Sequence, residues 1–258
     1  MRPFLLTGCV LVALLGTTGL ARADEPGVVT FGADGAGEGL QASYDKGLTL
    51  DAAGNIYVLD PDPHNRVLKF SPALRYLTSW GSIGVGNGEF EMPRGVAIDP
   101  AGNVKVGEAN GSRLQTFAPT GGFIASSVIS QSTGDIAIDS GGNIYYGGFG
   151  GVITKFDSTG TWLGSFDDSG YITGLGIDPA TGHVYAANSE SHHIRVLDSE
   201  LAPVRTFGSL GAGAGQYNQP VDVVVAGDAV YVSERGTPRL QRFSREAPLR
   251  FATRAGPG

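Results

Sequence analysis

Apolar and polar residues alternate in five stretches of the chain that are close copies of one another. The first two copies are GLTLDAAGNIYVLD from Gly47 and RGVAIDPAGNVKVGEA from Arg94, and a degenerate fifth copy, VDVVVAGDAVYVSE, begins at Val221. Alternation with a period of two predicts a strand with one buried face. A turn of Asp, Gly and Asn follows in most copies, because these residues form local hydrogen bonds and tolerate positive φ. Each copy therefore predicts two strands joined by a turn.

Each copy then continues into two more predicted strands. In the first copy, Val67 and Phe70 mark the third strand, and the segment from Tyr76 to Trp80 marks the fourth. Equivalent positions recur every 39 to 48 residues, at Asp51, Asp99, Asp139, Asp178 and Ala226. Four short antiparallel strands per unit, at such a period, are typical of a β-propeller blade. The sequence thus predicts an all-β chain with five full four-stranded repeats.

The repeats resemble those of a known family. The stretch GAGAGQYNQPVDVVV, followed by YVSERGTPRLQRF, is similar to the NHL repeat, which runs from a Gly-Gln-Phe element and a Pro through two strands to Arg-Ile and a final Phe. The resemblance covers the chain from Val28 to about Arg254 and implies a β-propeller. NHL propellers include RNA-binding modules, extracellular sensor domains and a zinc-dependent amidating lyase, so the resemblance implies the fold more specifically than the function.

Two arrangements of the ring are compatible with the repeats. The segment from Val28 to Phe31 resembles an outer strand that precedes the five full units. It either takes the place of the predicted last strand, Leu249 to Thr253, in a five-bladed ring, or it is the remnant of an incomplete six-bladed ring. Of the two we favour the six-bladed ring. The glycine-rich insertions at residues 81–90 and 208–217 are predicted to be loops between blades.

The N-terminal sequence indicates the cellular location of the protein. Residues 1–23 have the charge, short apolar core and small residues of a signal peptide, which leaves residues 24–258 as the propeller domain. We expect a bacterial protein, secreted or periplasmic and not inserted in the membrane after cleavage. Cleavage would remove Cys9, the only cysteine, and with it any disulfide. It would also remove Arg2 and Arg22, so the net charge of −7 becomes −9, which disfavours nucleic acid as a partner.

Two columns of polar residues recur near the loop between the second and third strands. The first column is acidic or an amide, at Asp60, Glu108, Asn188 and Glu234, and the second is basic, at Arg66, Arg113, His193 and Arg239. The third unit has Gly148 and Val152 instead, and this paired loss suggests that the columns interact. The simpler interpretation is an ion pair that ties the hairpin together. The alternative is a ring of arginines around one mouth of the channel, for an anionic sugar, a carboxylate or a peptide.

The candidate binding residues are therefore Arg66, Arg113, His193, Arg239, Asp60, Glu108, Glu234 and the nearby His64. The column that begins with Asp51 is predicted to hydrogen-bond its own turn. The four histidines come from only two units, so three of them are not expected to converge on a metal ion. We therefore expect no metal site, and we also expect no cofactor and no catalytic residue.

The predicted function is a secreted, non-catalytic binding module for a peptide, glycan or protein partner on one propeller face. The alternative is a metal-dependent lyase or hydrolase at the central channel, which the resemblance to the amidating-lyase branch implies. The irregular third unit, at Gly148 and Val152, is where we expect the binding site first.

Overall fold

The computed structural model describes residues 4–6, 10–12, 47–61, 63–110, 112–129, 133–245 and 252–254. Within these ranges the chain forms 22 strands and no helix, so no helix there is long and apolar enough to cross a membrane. Two strands near the N-terminus, β1 (Phe4–Leu6) and β2 (Val10–Val12), pair with each other. The other twenty form five antiparallel sheets of four strands.

Each sheet is one blade, and its strands follow one another in chain order. The first blade contains β3 (Leu48–Leu50), β4 (Ile56–Asp60), β5 (Arg66–Phe70) and β6 (Tyr76–Trp80). The second contains β7 (Pro93–Ile98), β8 (Val104–Glu108), β9 (Arg113–Phe117) and β10 (Phe123–Val128). The third contains β11 (Thr133–Ile138), β12 (Ile144–Gly148), β13 (Val152–Phe156) and β14 (Trp162–Asp167). The fourth contains β15 (Ile172–Ile177), β16 (Val184–Asn188), β17 (His193–Leu197) and β18 (Pro203–Phe207). The fifth contains β19 (Pro220–Ala226), β20 (Ala229–Glu234), β21 (Arg239–Ser244) and β22 (Ala252–Arg254).

The first strands of the five blades, β3, β7, β11, β15 and β19, pack side by side in that order and surround a central channel. The chain is thus a five-bladed β-propeller, and the predicted all-β fold is confirmed. The apolar core lies between neighbouring blades: Tyr57 and Leu59 of the first blade pack with Val96, Val104 and Phe117 of the second. Four of the five core clusters join neighbouring blades in this way, whereas the cluster of Ile56, Val58, Leu68 and Phe70 lies within the first blade.

The closure of the ring corrects one prediction. The outer position beside β21 is taken by β22, in the register Arg239↔Arg254, and β22 overlaps the last strand that the sequence predicted at Leu249 to Thr253. The described residues form five blades, and the favoured sixth blade is not among them. Val28 to Phe31 lies outside the described residues, and cleavage after residue 23 stays a prediction. The strand β2 contacts β3, β19 and β20, the strands on either side of the closure.

The turns at one end of the channel have the predicted chemistry. The Asp51 Oδ1 atom accepts hydrogen bonds from the backbone N–H groups of Ala53 at 3.0 Å and Asn55 at 2.9 Å, and its Oδ2 atom accepts one from the Tyr57 hydroxyl at 3.0 Å. Asp99 and Asp139 repeat the backbone contacts. This column therefore builds turns, as the side-chain chemistry of Asp predicts.

Candidate binding site at the channel mouth

A β-bulge near the start of four first strands aims side chains at the opposite end of the channel. The pairing register shifts between Pro93 and Gly95 in β7, and the same shift occurs at the equivalent places in β11, β15 and β19. A bulge re-aims the side chains around its extra residue. Arg94, Asp135, Thr173 and Asp222 are thereby brought to one end of the channel from four different blades.

The channel contains a cavity of about 220 Å³. All five first strands contribute to its wall, from Thr49 in the first blade to Val224 in the fifth. Most of the lining is aliphatic or glycine, and among the described lining residues the titratable ones are Arg94, Asp135 and Asp222. The wall thus combines aliphatic side chains with polar groups that converge from different blades, as small-ligand sites commonly do.

Each of the two carboxylates accepts a hydrogen bond from a backbone N–H group. The Asp135 Oδ2 atom accepts a hydrogen bond from Leu175 N across the blade boundary at 2.8 Å, and the Asp222 Oδ1 atom accepts one from Val223 N at 2.8 Å. Burial raises the pKa of Asp222 to about 7. Burial, together with the nearby charge of Asp222, also holds the pKa of Asp135 well above its ordinary value. Within the described part of the chain, no cationic side chain forms an ion pair with either carboxylate.

An aromatic pair lies at the same end of the channel. Phe149, in the turn between β12 and β13, stacks on Tyr171 with ring centroids 4.2 Å apart and planes 7° from parallel. The Arg94 Nη1 atom donates a hydrogen bond to the Tyr171 hydroxyl at 2.6 Å, and the guanidinium carbon lies 5.9 Å from the Phe149 ring centre. Gly150 and Gly151 permit the turn, since their φ angles are 83° and 74°. Phe149 nevertheless remains 57% exposed.

The third unit therefore differs from the others in the turn between its second and third strands. Where other blades have an ion pair, this one has Gly148 and Val152, and the turn between them carries an exposed aromatic ring. Sequence reasoning indicated this unit but missed Phe149, Tyr171 and Arg94. The available signal was the run from Gly147 to Gly151, in which a phenylalanine is flanked by glycines and has no place in a strand.

The two polar columns form the ion pairs that the simpler interpretation predicts. In the second blade, Arg113 Nε donates to Glu108 Oε1 at 2.7 Å and Arg113 Nη2 donates to Glu108 Oε2 at 3.0 Å. The Arg113 guanidinium also donates to the carbonyl oxygens of Val85 at 2.6 Å and Glu89 at 2.9 Å. Glu108 Oε2 accepts a hydrogen bond from Glu91 N at 2.8 Å. The pair thus fixes the loop that joins the first and second blades.

The other pairs are built in the same way. Arg239 Nε donates to Glu234 Oε1 at 2.7 Å, and Arg66 Nε donates to Asp60 Oδ2 at 3.0 Å. His64 Nδ1 also lies 3.0 Å from Asp60 Oδ2. None of the predicted binding residues is among the described residues that line the cavity. Their role in binding stays a prediction, and their role in fixing the hairpins and loops is shown.

In the fourth blade a different acid, Asp168, contacts the residues of the two columns. The side chains of Asn188 and His193 do not bond each other, but both contact Asp168, which follows β14. His193 Nε2 lies 2.7 Å from Asp168 Oδ2, and Asn188 Nδ2 donates a hydrogen bond to the same oxygen at 3.1 Å. Arg195 Nε donates to Asp168 Oδ1 at 2.6 Å. Burial by itself would raise the pKa of Asp168, but the hydrogen bonds from these three side chains outweigh it and lower that pKa. The sequence did not reveal Asp168, because it lies outside the aligned columns.

The remaining histidines lie apart from one another. His192 Nδ1 accepts a hydrogen bond from Gln219 N at 3.1 Å, and His183 lies in the turn that follows Asp178. In the ranges that the structure describes, no group of three or more His, Cys, Asp or Glu side chains is placed to hold a metal ion.

Comparison with known proteins agrees with the repeat and the fold. No family model matches the chain. A stretch of 72 residues, 27% of the chain, is 35% identical to NHL repeat-containing protein 3 of Homo sapiens, and the match to the Mus musculus protein of that name has the same extent and identity. The chain spans about a fifth, 21%, of the length of these relatives.

Solved structures of similar shape include enzymes. A streptogramin B lyase superimposes with a TM-score of 0.64 and 13% identity over 82% of this chain and 68% of that one. Virginiamycin B lyase from Staphylococcus aureus gives a TM-score of 0.64 and 13% identity over 82% and 70%. At this identity the likeness shows the fold alone. Fold and site define a propeller with a cavity at one mouth of its channel. The chain is a five-bladed β-propeller, and over the matched stretch its repeats are similar to those of an NHL repeat-containing protein.

Proposed function

We propose that the chain is an extracytoplasmic, non-catalytic module that binds a peptide, glycan or protein partner on the face where the channel opens beside Phe149. The observation that carries the proposal is the aromatic pair of Phe149 and Tyr171, positioned by Arg94 at the same end of the channel as the cavity. The signal-like residues 1–23 support the extracytoplasmic address.

The exposure of Phe149 supports binding rather than packing. A phenylalanine that is 57% exposed contributes little to the core, yet its ring is held by stacking on Tyr171. The loops between blades on this face expose further apolar side chains, namely Ile83, Val85 and Leu210, each more than 60% exposed. Rigid scaffolds commonly present their binding groups on such loops.

The test is a binding screen with a matched pair of variants. The full chain would be applied to glycan and peptide arrays as the wild type, as Phe149→Ala and as Phe123→Ala. Phe123 is a suitable control because it is a partly exposed phenylalanine on the outer strand of the second blade, far from the channel. We expect a retained array ligand to lose at least tenfold in affinity with Phe149→Ala and to be unaffected by Phe123→Ala.

Equal binding by both variants would refute the proposed face. The metal content of the purified protein tests the other candidate, because stoichiometric zinc or calcium would favour the metal-dependent lyase or hydrolase over a non-catalytic module.

A further inference from the structure

The carboxylates of Asp135 and Asp222 are partly buried on the wall of the cavity, and they differ from the fully buried acids of the propeller. Asp60, Glu108 and Glu234 each pair with an arginine of the same hairpin, and Asp168 pairs with Arg195. Among the described residues, Asp135 and Asp222 have backbone N–H donors but no cationic side chain. Buried carboxylates persist mainly when they are paired or protonated. The channel therefore contains two acids for which the described part of the chain supplies no counter-charge.

The backbone brings these two acids to the same strand. Asp135 reaches from the third blade to Leu175 N on β15, and Asp222 lies in the fifth blade on the other side of that strand. Between them is Gly174, where a Cβ atom would lie 2.6 Å from Asp222 Cα and 2.7 Å from Asp222 Oδ1. The missing side chain thus allows the carboxylates of the third and fifth blades to converge from both sides of the fourth, on the wall of the cavity.

We propose that Asp135 and Asp222 receive a positively charged amine of the ligand, so that the ligand class is an organic ammonium compound. The inference rests on the proposed function, because it concerns the same cavity. The amine is that of a peptide amino terminus, a lysine side chain or an amino sugar, which share this chemistry. The rings of Phe149 and Tyr171 at the mouth suit such a ligand, since aromatic faces attract cations and pack against apolar groups.

A proton competes with the amine for this site. Two neighbouring carboxylates in a buried setting retain a proton more strongly than isolated ones, because their charges repel each other and lack water. Among the described residues that line the cavity, the other charged group is Arg94 of β7, whose guanidinium donates a hydrogen bond to Tyr171 at the mouth. Binding of an alkyl ammonium group, such as that of a lysine side chain, is therefore expected to weaken as the pH falls from 8 to 5, while such a group itself stays charged throughout this range.

The experiment compares two probes of the same shape that differ in charge. Phenethylamine and 2-phenylethanol would be titrated into the full-length protein at pH 8 by ligand-observed NMR. We expect phenethylamine to bind at least tenfold more tightly than the alcohol, and this preference to disappear in Asp135→Asn and in Asp222→Asn. Asparagine keeps the shape and the acceptor oxygen of each side chain. Asp228→Asn, at a side chain that is 86% exposed on the fifth blade, is the control and should keep the preference.

The comparison of the two probes in the wild type needs no variant, so the inference can fail even where a variant does not fold. Equal affinity for amine and alcohol would overturn it, as would an amine preference that survives both substitutions. Tighter binding of Ca²⁺ than of phenethylamine, abolished by the same substitutions, would replace the amine site with a metal site. An array ligand without an amine that depends on Phe149 but not on Asp135 or Asp222 would uphold the proposed function and refute this inference.

Discussion

Asp222→Asn should stabilise the protein at alkaline pH and leave its stability unchanged in acid. In the folded protein, burial raises the pKa of Asp222 from 3.8 to about 7. The folded state therefore holds a proton between these two pH values that the unfolded state has released, and stability falls as the pH rises through that window. At about 1.4 kcal/mol for each tenfold change in proton affinity, the charged carboxylate costs about 4 kcal/mol above pH 7.

Asparagine removes this cost because it is neutral at every pH and can still accept the hydrogen bond from Val223 N. We expect the free energy of unfolding of Asp222→Asn to exceed that of the wild type by up to about 4 kcal/mol at pH 8, and to match it at pH 4. For a chain of this size such a gain corresponds to roughly 10 °C in melting temperature.

The assay is urea unfolding followed by tryptophan fluorescence at pH 4, 6 and 8, with Asp228→Asn as the exposed control. Asp228→Asn should follow the wild type at each pH, because its side chain is 86% exposed and its ion pair with Arg242 lies at the surface, where such pairs contribute little. A gain for Asp222→Asn that is the same at all three pH values would show that proton binding is not its cause. A loss that grows with pH would show that the Asp222 carboxylate has a counter-ion, which would refute the reasoning.

Two further substitutions test how the channel and the blade loops are built. Gly174→Ala should destabilise the protein by about 1–3 kcal/mol in the same unfolding assay, since its Cβ would lie 2.6 Å from Asp222 Cα; wild-type stability would show that the fourth and fifth blades can separate there at no cost. Glu108→Gln should cost about 3–5 kcal/mol because it removes the charge that pairs with a largely buried Arg113. The double variant Glu108→Arg with Arg113→Glu keeps the two opposite charges but should remain less stable than the wild type, because Arg113 also donates to the carbonyl oxygen of Val85. Wild-type stability of this double variant would mean that the loop contacts contribute nothing.

Much of the fold follows from local pattern. Each alternating segment predicted a strand, each Asp-Gly-Asn turn predicted a reversal, and the repeat predicted that blades would stack. The Asp51 turn and the pair of Glu108 with Arg113 could be found in the sequence because their partners lie within a few residues along the chain. The number of blades could not, since it depends on how the strands pair around the ring, and the structure forms five sheets of four strands from the described residues.

The candidate site was only partly visible in the sequence. The paired loss at Gly148 and Val152 identified the unusual blade, because a column shared by the other units is read directly from their alignment. An alignment of the repeats could not reveal the partners of Phe149, because they belong to other blades. Tyr171 precedes the first strand of the fourth blade, and Arg94 lies in the first strand of the second blade. The sequence by itself therefore determined the strands, the turns and the repeat, which depend on residues close together in the chain. Only the tertiary structure decided which acids lack a counter-charge, because burial and the distance between Asp135 and Asp222 exist only once the blades surround the channel.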